Sequence, residues 1–519
     1  MGEQEEVDVV AQVTQGYGFA GASLEVGALV VDGAATAPEA KIRIPLSMVS
    51  RHGLVAGATG TGKTKTLQRL AEQLSEQGVP VFLADVKGDL SGLATAGATS
   101  DRTAARAGEV GQAWTGTAYP VEFYALGGQG TGVPIRVSIT SFGPVLLSKV
   151  LGLNATQESS LGLVFHYADS AGLPMLDLKD LRAVVSHLVS DEGKAELATL
   201  GGLSKATAGV ILRELIGFQD QGAEVFFGEP EFDTTELLRL GPDGRGVISV
   251  LELPALQDRP ALFSTFLMWL LADLFQDLPE VGDVDKPKLV FFFDEAHLLF
   301  SDASKDFLTQ VTQTVRLIRS KGVGVYFVTQ TPKDVPGDIL AQLGNRVQHA
   351  LRAFTPDDAK ALRATVSTFP KSAYDLEEVL TQLGIGEAIV TVLSERGVPT
   401  PVAWTRLQAP QSHMGPTEAA LMQQMVAGST LWPKYGVAID RESAYERLTA
   451  RLAAAQAEEA AAAPSPAAPA PAPTPTAAPA RREPESQTSK TVKVFAAAAA
   501  TTLGREIVRG LFGTARRKR

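Results

Sequence analysis

Eight consecutive residues have the spacing of a phosphate-binding loop, G-x-x-x-x-G-K-[ST]. In such a loop glycines let successive backbone N–H groups point into one hollow, a lysine reaches the β- and γ-phosphates, and a hydroxyl ligates Mg²⁺. The N-terminal dipole of the following helix adds to the anion site. The pattern predicts binding of a nucleoside triphosphate with Mg²⁺. Its residues, with the next lysine, are Gly57, Ala58, Thr59, Gly60, Thr61, Gly62, Lys63, Thr64 and Lys65.

Two acids, Asp294 and Glu295, directly follow the apolar run 288–293. This is the form of a buried parallel strand that delivers carboxylates at its end. In phosphate-loop enzymes an acid at this position holds Mg²⁺, usually through water, and an adjacent glutamate can orient and polarise the attacking water. We therefore predict that Asp294 serves the metal and Glu295 acts as the base, which extends binding to hydrolysis.

Three further polar features lie near other predicted strands. Gln330 ends the apolar run 323–330, where an amide can hydrogen-bond the γ-phosphate or the attacking water as a sensor. Arg316 and Arg319 lie on a predicted helix, 303–320, just before that run. The polar cluster 85–89 follows the predicted strand 79–85. Because the carboxyl ends of parallel strands face the ligand crevice, this cluster is expected to face the nucleotide or a polymer substrate, with a solvated turn as the alternative.

Alternating strands and helices must position these residues. Residues 52–56 and 65–77 flank the loop as a short buried strand and a helix with apolar residues at helical spacing. Further strands are predicted at 246–251, 345–352, 386–393 and 402–404, and Thr355 is predicted to cap a helix that begins at Pro356. The order predicts an α/β fold with a mainly parallel sheet and crossover helices.

Composition and pattern divide the chain into six segments. Residues 51–89 and 246–410 are predicted to form the core, which 90–245 interrupt as a mostly helical insertion with helices at 145–168, 176–190 and 204–219. The other segments are a β-rich lead-in at 1–50, a C-terminal helical extension at 411–461, an Ala/Pro-rich linker at 462–492 and a basic amphipathic tail at 493–519. Within the lead-in, 16–21 match the dinucleotide fingerprint G-x-G-x-x-G, but without a preceding strand or following helix they are predicted to be a glycine-rich hairpin turn.

Composition excludes several classes of site. The 519 residues include no cysteine, which excludes disulfides, thiolate zinc sites and cysteine nucleophiles, and the six histidines show no metal-ligand spacing. The net charge of −11 averages unlike parts, because residues 481–519 contain ten Lys/Arg and three Asp/Glu. This tail could bind nucleic acid, an anionic membrane surface or a partner, or simply aid solubility. No apolar run is long enough to span a membrane and the first residues are acidic, so a cytoplasmic location is expected.

The motifs resemble, in type and order, those of the HerA/FtsK branch of the RecA-like P-loop ATPases, and within it the bacterial HerA-like family of the YjgR type. The resemblance runs from about residue 10 to 440 and resumes weakly in the tail from Gly504. It rests on the segments 51–64, 81–89, 293–297 and 328–330. It implies a RecA-like core and a ring, commonly a homo-hexamer, that hydrolyses ATP at subunit boundaries and moves DNA through its centre.

The same resemblance implies residue roles. Lys63 and Thr64 would hold the phosphates and Mg²⁺, Asp294 and Glu295 would serve metal and water, and Gln330 would be the sensor. An arginine between the Asp-Glu strand and the sensor strand would reach into the neighbouring subunit's site. Arg319 is the first choice and Arg316 lies one turn earlier, with Arg346 and Arg352 held in reserve. The residues leave open two other functions: an ATPase that acts on protein cargo, as a remodelling or secretion-type ring, and a non-motor nucleotide switch.

Overall fold

A sheet of twelve strands runs through the part of the chain that the computed structural model describes, which is residues 9–462 except 32, 34, 198–200, 255–258 and 301–304. The predicted linker and basic tail lie outside these residues, apart from Ala462. The chain divides into two units, 1–456 and 457–519, and the account below concerns the first. The strands are β1 Ser23–Val31, β2 Ala35–Pro45, β3 Gly53–Ala56, β4 Val81–Asp85, β5 Val121–Leu126, β6 Val133–Ile135, β7 Ile248–Glu252, β8 Leu289–Phe293, β9 Val323–Thr329, β10 Asn345–Gln348, β11 Glu387–Thr391 and β12 Ala403–Leu407.

Helices connect these strands. They are α1 Val9–Gly16, α2 Lys63–Glu76, α3 Asp101–Val110, α4 Ile139–Phe142, α5 Pro144–Val150, α6 Ala155–Ser170, α7 Leu178–Leu188, α8 Asp191–Leu197, α9 Lys205–Asp220, α10 Pro260–Asp277, α11 His297–Phe300, α12 Lys305–Ile318, α13 Gly337–Leu340, α14 Pro356–Val366, α15 Leu376–Gln382, α16 Ala419–Ala427, α17 Trp432–Tyr435 and α18 Ala444–Ala462. None of the described helices combines the length and apolar character that a membrane crossing requires.

The strand order is β2-β1-β12-β11-β10-β3-β9-β8-β4-β7-β5-β6. All pairs from β10 to β6 are parallel, which confirms the predicted α/β fold with a mainly parallel sheet. The core strands carry apolar residues on both faces because helices cover both faces. On β8, Phe291 and Phe293 join one buried cluster with α10, α12 and the insertion, whereas Val290 and Phe292 join the other with α2.

The sheet differs from the sequence prediction at both edges. β11, β12, β1 and β2 pair antiparallel, so the lead-in and the last two core strands form one meander-like edge. At the other edge β5 and β6, from the segment predicted as an insertion, continue the sheet in parallel beside β7. The apolar pattern of a strand indicates how buried the strand is, but not its direction in the sheet or the strand with which it pairs. Neither edge of the sheet could therefore be predicted from the pattern.

Local differences have local causes. The predicted helix 145–168 is two helices, because Gly152 takes a left-handed φ of 64° and Asn154 caps a new helix through the N–H groups of Thr156 and Gln157. The first element of the lead-in among the described residues is α1, and the glycine-rich residues 16–21 connect α1 to β1 rather than two strands. The cap at Thr355 is confirmed, since its side chain accepts from the N–H of Asp358.

After β12, residues 408–417 lie against α2, and we call this segment the strap. The buried Glu72 carboxylate accepts from the backbone N–H groups of Gln411 at 3.0 Å and Ser412 at 2.9 Å. Lys65 Nζ, one residue beyond the phosphate loop, donates to the Met414 carbonyl at 2.6 Å. The strap therefore fixes the chain to the helix that begins at the phosphate loop.

Beyond the strap, the extension reaches the helical insertion. Arg136 Nη1 donates to the Tyr435 carbonyl at 3.1 Å. The N–H of Ala444, at the start of α18, donates to the Pro174 carbonyl at 2.9 Å, and the N–H of Tyr445 donates to the Asp180 carboxylate at 2.9 Å. The extension is thus held at α2 on one side and at the insertion on the other.

Candidate nucleotide-hydrolysis site

The phosphate loop connects β3 to α2, as predicted. Its glycines are required by the backbone, since Gly57 has φ 154° and Gly62, the N-cap of α2, has φ 109°. A Cβ at Gly57 would come within 2.5 Å of the Cβ of His349. Lys63 Nζ turns into the loop and donates to the Ala58 carbonyl at 3.2 Å. The geometry brings a cation and the first N–H groups of a helix to one hollow, which suits a phosphate chain.

His349, which sequence reasoning did not identify, supports the back of the loop. Its ring is fully buried, with Nε2 3.0 Å from the Thr66 hydroxyl and Nδ1 3.2 Å from the Thr61 carbonyl. Burial, and then the positive charge of Lys63, lower the pKa of His349 to about 3. The imidazole is therefore neutral and adds no charge to the site. It follows β10, a strand next to β3, but the sequence placed it inside the predicted strand 345–352, with no signal of this role.

Asp294 follows β8, and its side chain is 2% exposed. Burial, and then the neighbouring charge of Glu295, raise the pKa of Asp294 to about 7. One carboxylate oxygen accepts from the N–H of Glu295 at 2.9 Å, whereas Oδ2 is buried with no hydrogen-bond partner. A cation near Oδ2 would supply the missing partner and would lower the raised pKa, because it stabilises the ionised carboxylate.

These residues fit Mg²⁺. No group of three or more His, Cys, Asp or Glu among the described residues could hold a metal by itself. Mg²⁺ is commonly bound by one or two carboxylates together with phosphates and water rather than by an all-protein cage. Asp294, with the Thr64 hydroxyl on the first turn of α2, is such a minimal donor set.

Glu295 lies next to Asp294 in a left-handed backbone conformation, φ 47°. Its Oε1 accepts a short hydrogen bond from Lys87 Nζ, and His297 Nδ1 lies 3.2 Å from Oε2. Burial opposes ionisation of this carboxyl, but the hydrogen bond and charge of Lys87 outweigh it and lower the pKa of Glu295. The Glu295 side chain is therefore charged and held by a cation. Glu295 also interacts with Lys63. Burial lowers the pKa of Lys63, and the negative charge of Glu295 acts in the opposite direction.

The predicted polar cluster 85–89 lies beside these acids, because β4 pairs with β8 in parallel. Asp85 is fully buried and shapes the turn: its carboxylate accepts from the N–H groups of Gly88 at 2.7 Å and Leu90 at 2.8 Å. Burial raises the pKa of Asp85 to about 6 even though these bonds oppose the rise. The turn thus carries Lys87 to Glu295.

Glu252 adds another buried carboxyl at this edge, opposite Asp85 in the register of β4 and β7. It is 7% exposed, and its Oε1 has no hydrogen-bond partner. Burial, then the charges of Asp85 and Asp89, raise the pKa of Glu252 to about 8. Four buried carboxyls therefore end three neighbouring strands, which makes the edge strongly receptive to cations.

Gln330 follows β9, the strand between β3 and β8. Its side chain is exposed and lines a cleft of about 330 Å³ together with Ala58 and Thr59 of the phosphate loop and with Arg352. The predicted sensor therefore lies beside the loop, where it can contact a bound phosphate chain.

The two preferred arginines lie away from this edge, whereas the reserve Arg352 lines the cleft beside the phosphate loop. Arg316 and Arg319 are exposed at the C-terminal end of α12 and just beyond it, next to the start of β9. The length of β9, seven residues, separates this end from the acids by about 20 Å. Within the described residues neither guanidinium group makes a hydrogen bond or ion pair. Arg346 instead donates to the Thr368 hydroxyl of its own chain at 2.5 Å.

Comparison with known proteins gives three findings. The family model described as "Helicase HerA-like C-terminal" matches residues 32–519. Two proteins named DNA double-strand break repair helicase HerA are similar: that of Saccharolobus solfataricus is 23% identical over 67% of this chain and 63% of its own length, and that of Sulfolobus acidocaldarius is 22% identical over 67% and 64%. The chain thus spans less than two thirds of these relatives. The unbound bacterial conjugative coupling protein TrwB shares the fold, with TM-score 0.50 and 16% identity over 78% of this chain and 100% of that structure.

Proposed function

This chain belongs to the helicase HerA-like C-terminal family, and from that premise we propose that it is an ATP-hydrolysing ring motor that translocates DNA. One observation carries the hydrolytic part: the phosphate loop and the buried Asp294-Glu295 pair meet at the carboxyl edge of one parallel sheet. The DNA part is supported by the archaeal relatives, which are named as DNA repair helicases.

Each residue has a role that follows from its chemistry. Lys63 neutralises the β- and γ-phosphates, while Thr64 and Asp294 would hold Mg²⁺, which would neutralise charge on the phosphate oxygens. Glu295 accepts a hydrogen bond from the attacking water and takes up its proton. Gln330, beside the loop, donates its amide to the γ-phosphate or to that water.

The arginines complete the site from a neighbouring chain. Arg319 is exposed and unpaired within the described residues, and it lies too far from the acids to serve its own site. A guanidinium is permanently charged and bridges phosphate oxygens in its plane, which suits it to stabilise charge that shifts to the leaving group. The proposed assembly is a homo-hexamer with one site at each boundary.

The test is ATP turnover by the purified full-length protein with and without DNA. DNA is expected to raise turnover, and the stimulation is expected to weaken as salt rises, because cations bound to the DNA phosphates compete with the protein. Turnover that ignores DNA but responds to a protein substrate would replace the DNA motor by an ATPase acting on protein cargo.

Two variants test the site. Lys63→Ala and Glu295→Gln are each expected to lower turnover by about 100-fold or more. Glu295→Gln should still bind ATP, measured by titration calorimetry, because the phosphate contacts remain. Lys179→Met, a change in an exposed ion pair between the insertion and Glu446 of α18, is the control and should turn over as the unmodified protein does. Wild-type turnover in either site variant would overturn the assignment.

A further inference from the structure

The contact between Lys87 and Glu295 has no part in the reaction as proposed. The two residues are 208 positions apart and meet because β4 and β8 are neighbours whose ends reach the same edge. The Lys87 ammonium donates to Oε1 of the carboxylate that is expected to accept a proton from water. A carboxylate oxygen that already accepts from a cation is a weaker base.

Hydrogen bonds and a glycine fix the backbone of the turn that carries Lys87. The fully buried Asp85 accepts from the backbone N–H groups of Lys87 at 3.2 Å, Gly88 at 2.7 Å and Leu90 at 2.8 Å. Gly88 takes a left-handed φ of 76°, and a Cβ there would lie 3.1 Å from Pro254. The backbone of Lys87 is therefore fixed relative to Glu295, and only its side chain has freedom.

The two partners are unequally buried. The Lys87 side chain is 43% exposed, whereas the Glu295 side chain is 6% exposed. Lys87 can therefore leave Glu295 by rotating its side chain towards solvent without unpacking the core, whereas Glu295 is held by the core and by its left-handed backbone. The mobile partner of this pair is the lysine.

We infer that Lys87 is a positioning residue that restrains Glu295 and limits ATP turnover in the absence of the polymer substrate. The inference rests on the proposed function, because it assumes that Glu295 is the base. Turnover then requires Lys87 to leave Oε1, and an anion that draws the ammonium away promotes this release. The phosphates of bound nucleic acid have the required charge.

The experiment compares steady-state ATP turnover of the unmodified protein, Lys87→Met, Lys87→Arg and Lys179→Met, with and without DNA. Lys87→Met is expected to raise the DNA-free kcat by about threefold or more, with KM for ATP changed by less than about twofold, because the change frees the base without touching the phosphate loop. DNA should stimulate Lys87→Met less than the unmodified protein. Lys87→Arg keeps a cation and should retain the restraint.

Two further variants make the outcome specific. Lys87→Met combined with Glu295→Gln should be as inactive as Glu295→Gln alone, which shows that the gain runs through Glu295. Lys179→Met removes a lysine of similar exposure, 48%, from another glutamate ion pair and should change nothing. A gain in this control would show that the effect is not local to Glu295 and would overturn the inference.

The results separate the two proposals. If Glu295→Gln is inactive and Lys87→Met is no faster than the unmodified protein, the restraint is overturned while the hydrolytic function stands. A tenfold or larger loss in Lys87→Met would also overturn it, and would place Lys87 on the phosphate during the reaction. If the unmodified protein shows no turnover, or Glu295→Gln is fully active, the proposed function fails and the restraint with it.

Discussion

At the scale of the residue, the site is dominated by carboxyls whose charge the fold suppresses. Glu252, Asp294 and Asp85 have pKa values raised to about 8, 7 and 6, chiefly by burial. The fold therefore gives up stability to keep acids at this edge, which is typical of a functional site rather than of packing. Lys63 of the phosphate loop and the adjacent Lys65 are cations near these acids, and burial lowers the pKa of both.

Glu252 gives a prediction about pH. The pKa of Glu252 in the folded protein lies above the unfolded value of about 4.3. The contribution of the protonated carboxyl to the free energy of unfolding is therefore complete below pH 4 and is lost as the pH rises through about 8. Glu252→Gln removes this loss. Between pH 5 and 8, without Mg²⁺ or nucleotide, the free energy of unfolding of the variant should gain roughly 3–4 kcal/mol on that of the unmodified protein. Urea denaturation at both pH values measures the difference, and parallel pH profiles would contradict it.

The sequence reveals the residues whose spacing the chemistry dictates. The phosphate loop and the Asp294-Glu295 pair follow fixed local patterns, so both could be predicted without a structure. Lys87 could be placed only at the correct edge of the sheet, because its partner lies 208 positions away and nothing in the local sequence specifies that contact. His349 showed no pattern at all, since a buried histidine behind a loop has no characteristic neighbours in the sequence.

At the scale of the element, α2 is the best anchored helix of the site. Glu72 is fully buried and its carboxylate accepts from two backbone N–H groups of the strap and from the Ser412 hydroxyl, while Arg69 lies 3.1 Å away. Most lone pairs of the Glu72 carboxylate are satisfied by donors of the strap. The buried charge is therefore stable only while the strap is in place.

Removal of this carboxylate should release the strap. Glu72→Ala leaves two strap N–H groups without an acceptor and removes one carboxylate from Arg69, which keeps its bonds to Gln408 and Gln411. The free energy of unfolding should fall by about 3 kcal/mol. Denaturant titration measures the loss, and limited proteolysis should show new cleavage within residues 408–417. Glu76→Ala, at a more exposed carboxylate of the same helix, is the control, with an expected loss of about 1 kcal/mol. Equal losses would mean that the strap does not depend on Glu72.

Element type was more predictable than element pairing. The apolar runs that became β8 and β9 and the cap at Thr355 follow local rules and were predicted, whereas the cap at Asn154 was missed within the predicted helix 145–168. The antiparallel pairing of β10 with β11 and the parallel addition of β5 to β7 do not, because β11 is buried along its length and its sequence is equally compatible with either direction.

At the scale of the whole molecule, the acids and the exposed arginines lie at opposite ends of the central strands. One surface therefore offers a site and another offers Arg319, which favours a head-to-tail contact between copies. Such contacts close into a ring or continue as a filament. Mass measurement in solution distinguishes these outcomes, and the proposed homo-hexamer predicts a mass close to six times 54.7 kDa.

Mixed assemblies test the shared site. Arg319→Ala and Glu295→Gln chains are each expected to be inactive, but a mixture should recover part of the turnover, because an intact Glu295 site can receive an intact Arg319 from its neighbour. Turnover is measured across mixing ratios in assemblies shown by mass to contain both chains. Arg102→Ala, an exposed arginine on α3, is the control and should remain active alone. No recovery at any ratio would contradict the shared site.

The extension between Met414 and Tyr445 connects two parts of the fold and is attached to each of them. One end is tied to Lys65, next to the phosphate loop, and the other to Asp180 in the insertion. We expect this segment, in which Met422, Val426, Leu431 and Tyr435 are buried, to pass a tilt of α2 on triphosphate binding to the insertion. The test is to insert several Gly-Ser residues between α16 and α17. ATP turnover should remain intact, but it should no longer be coupled to mechanical work on the polymer. Strand displacement per ATP hydrolysed measures this coupling. The length of the extension would then matter to the proposed motor as much as the residues of the candidate site do.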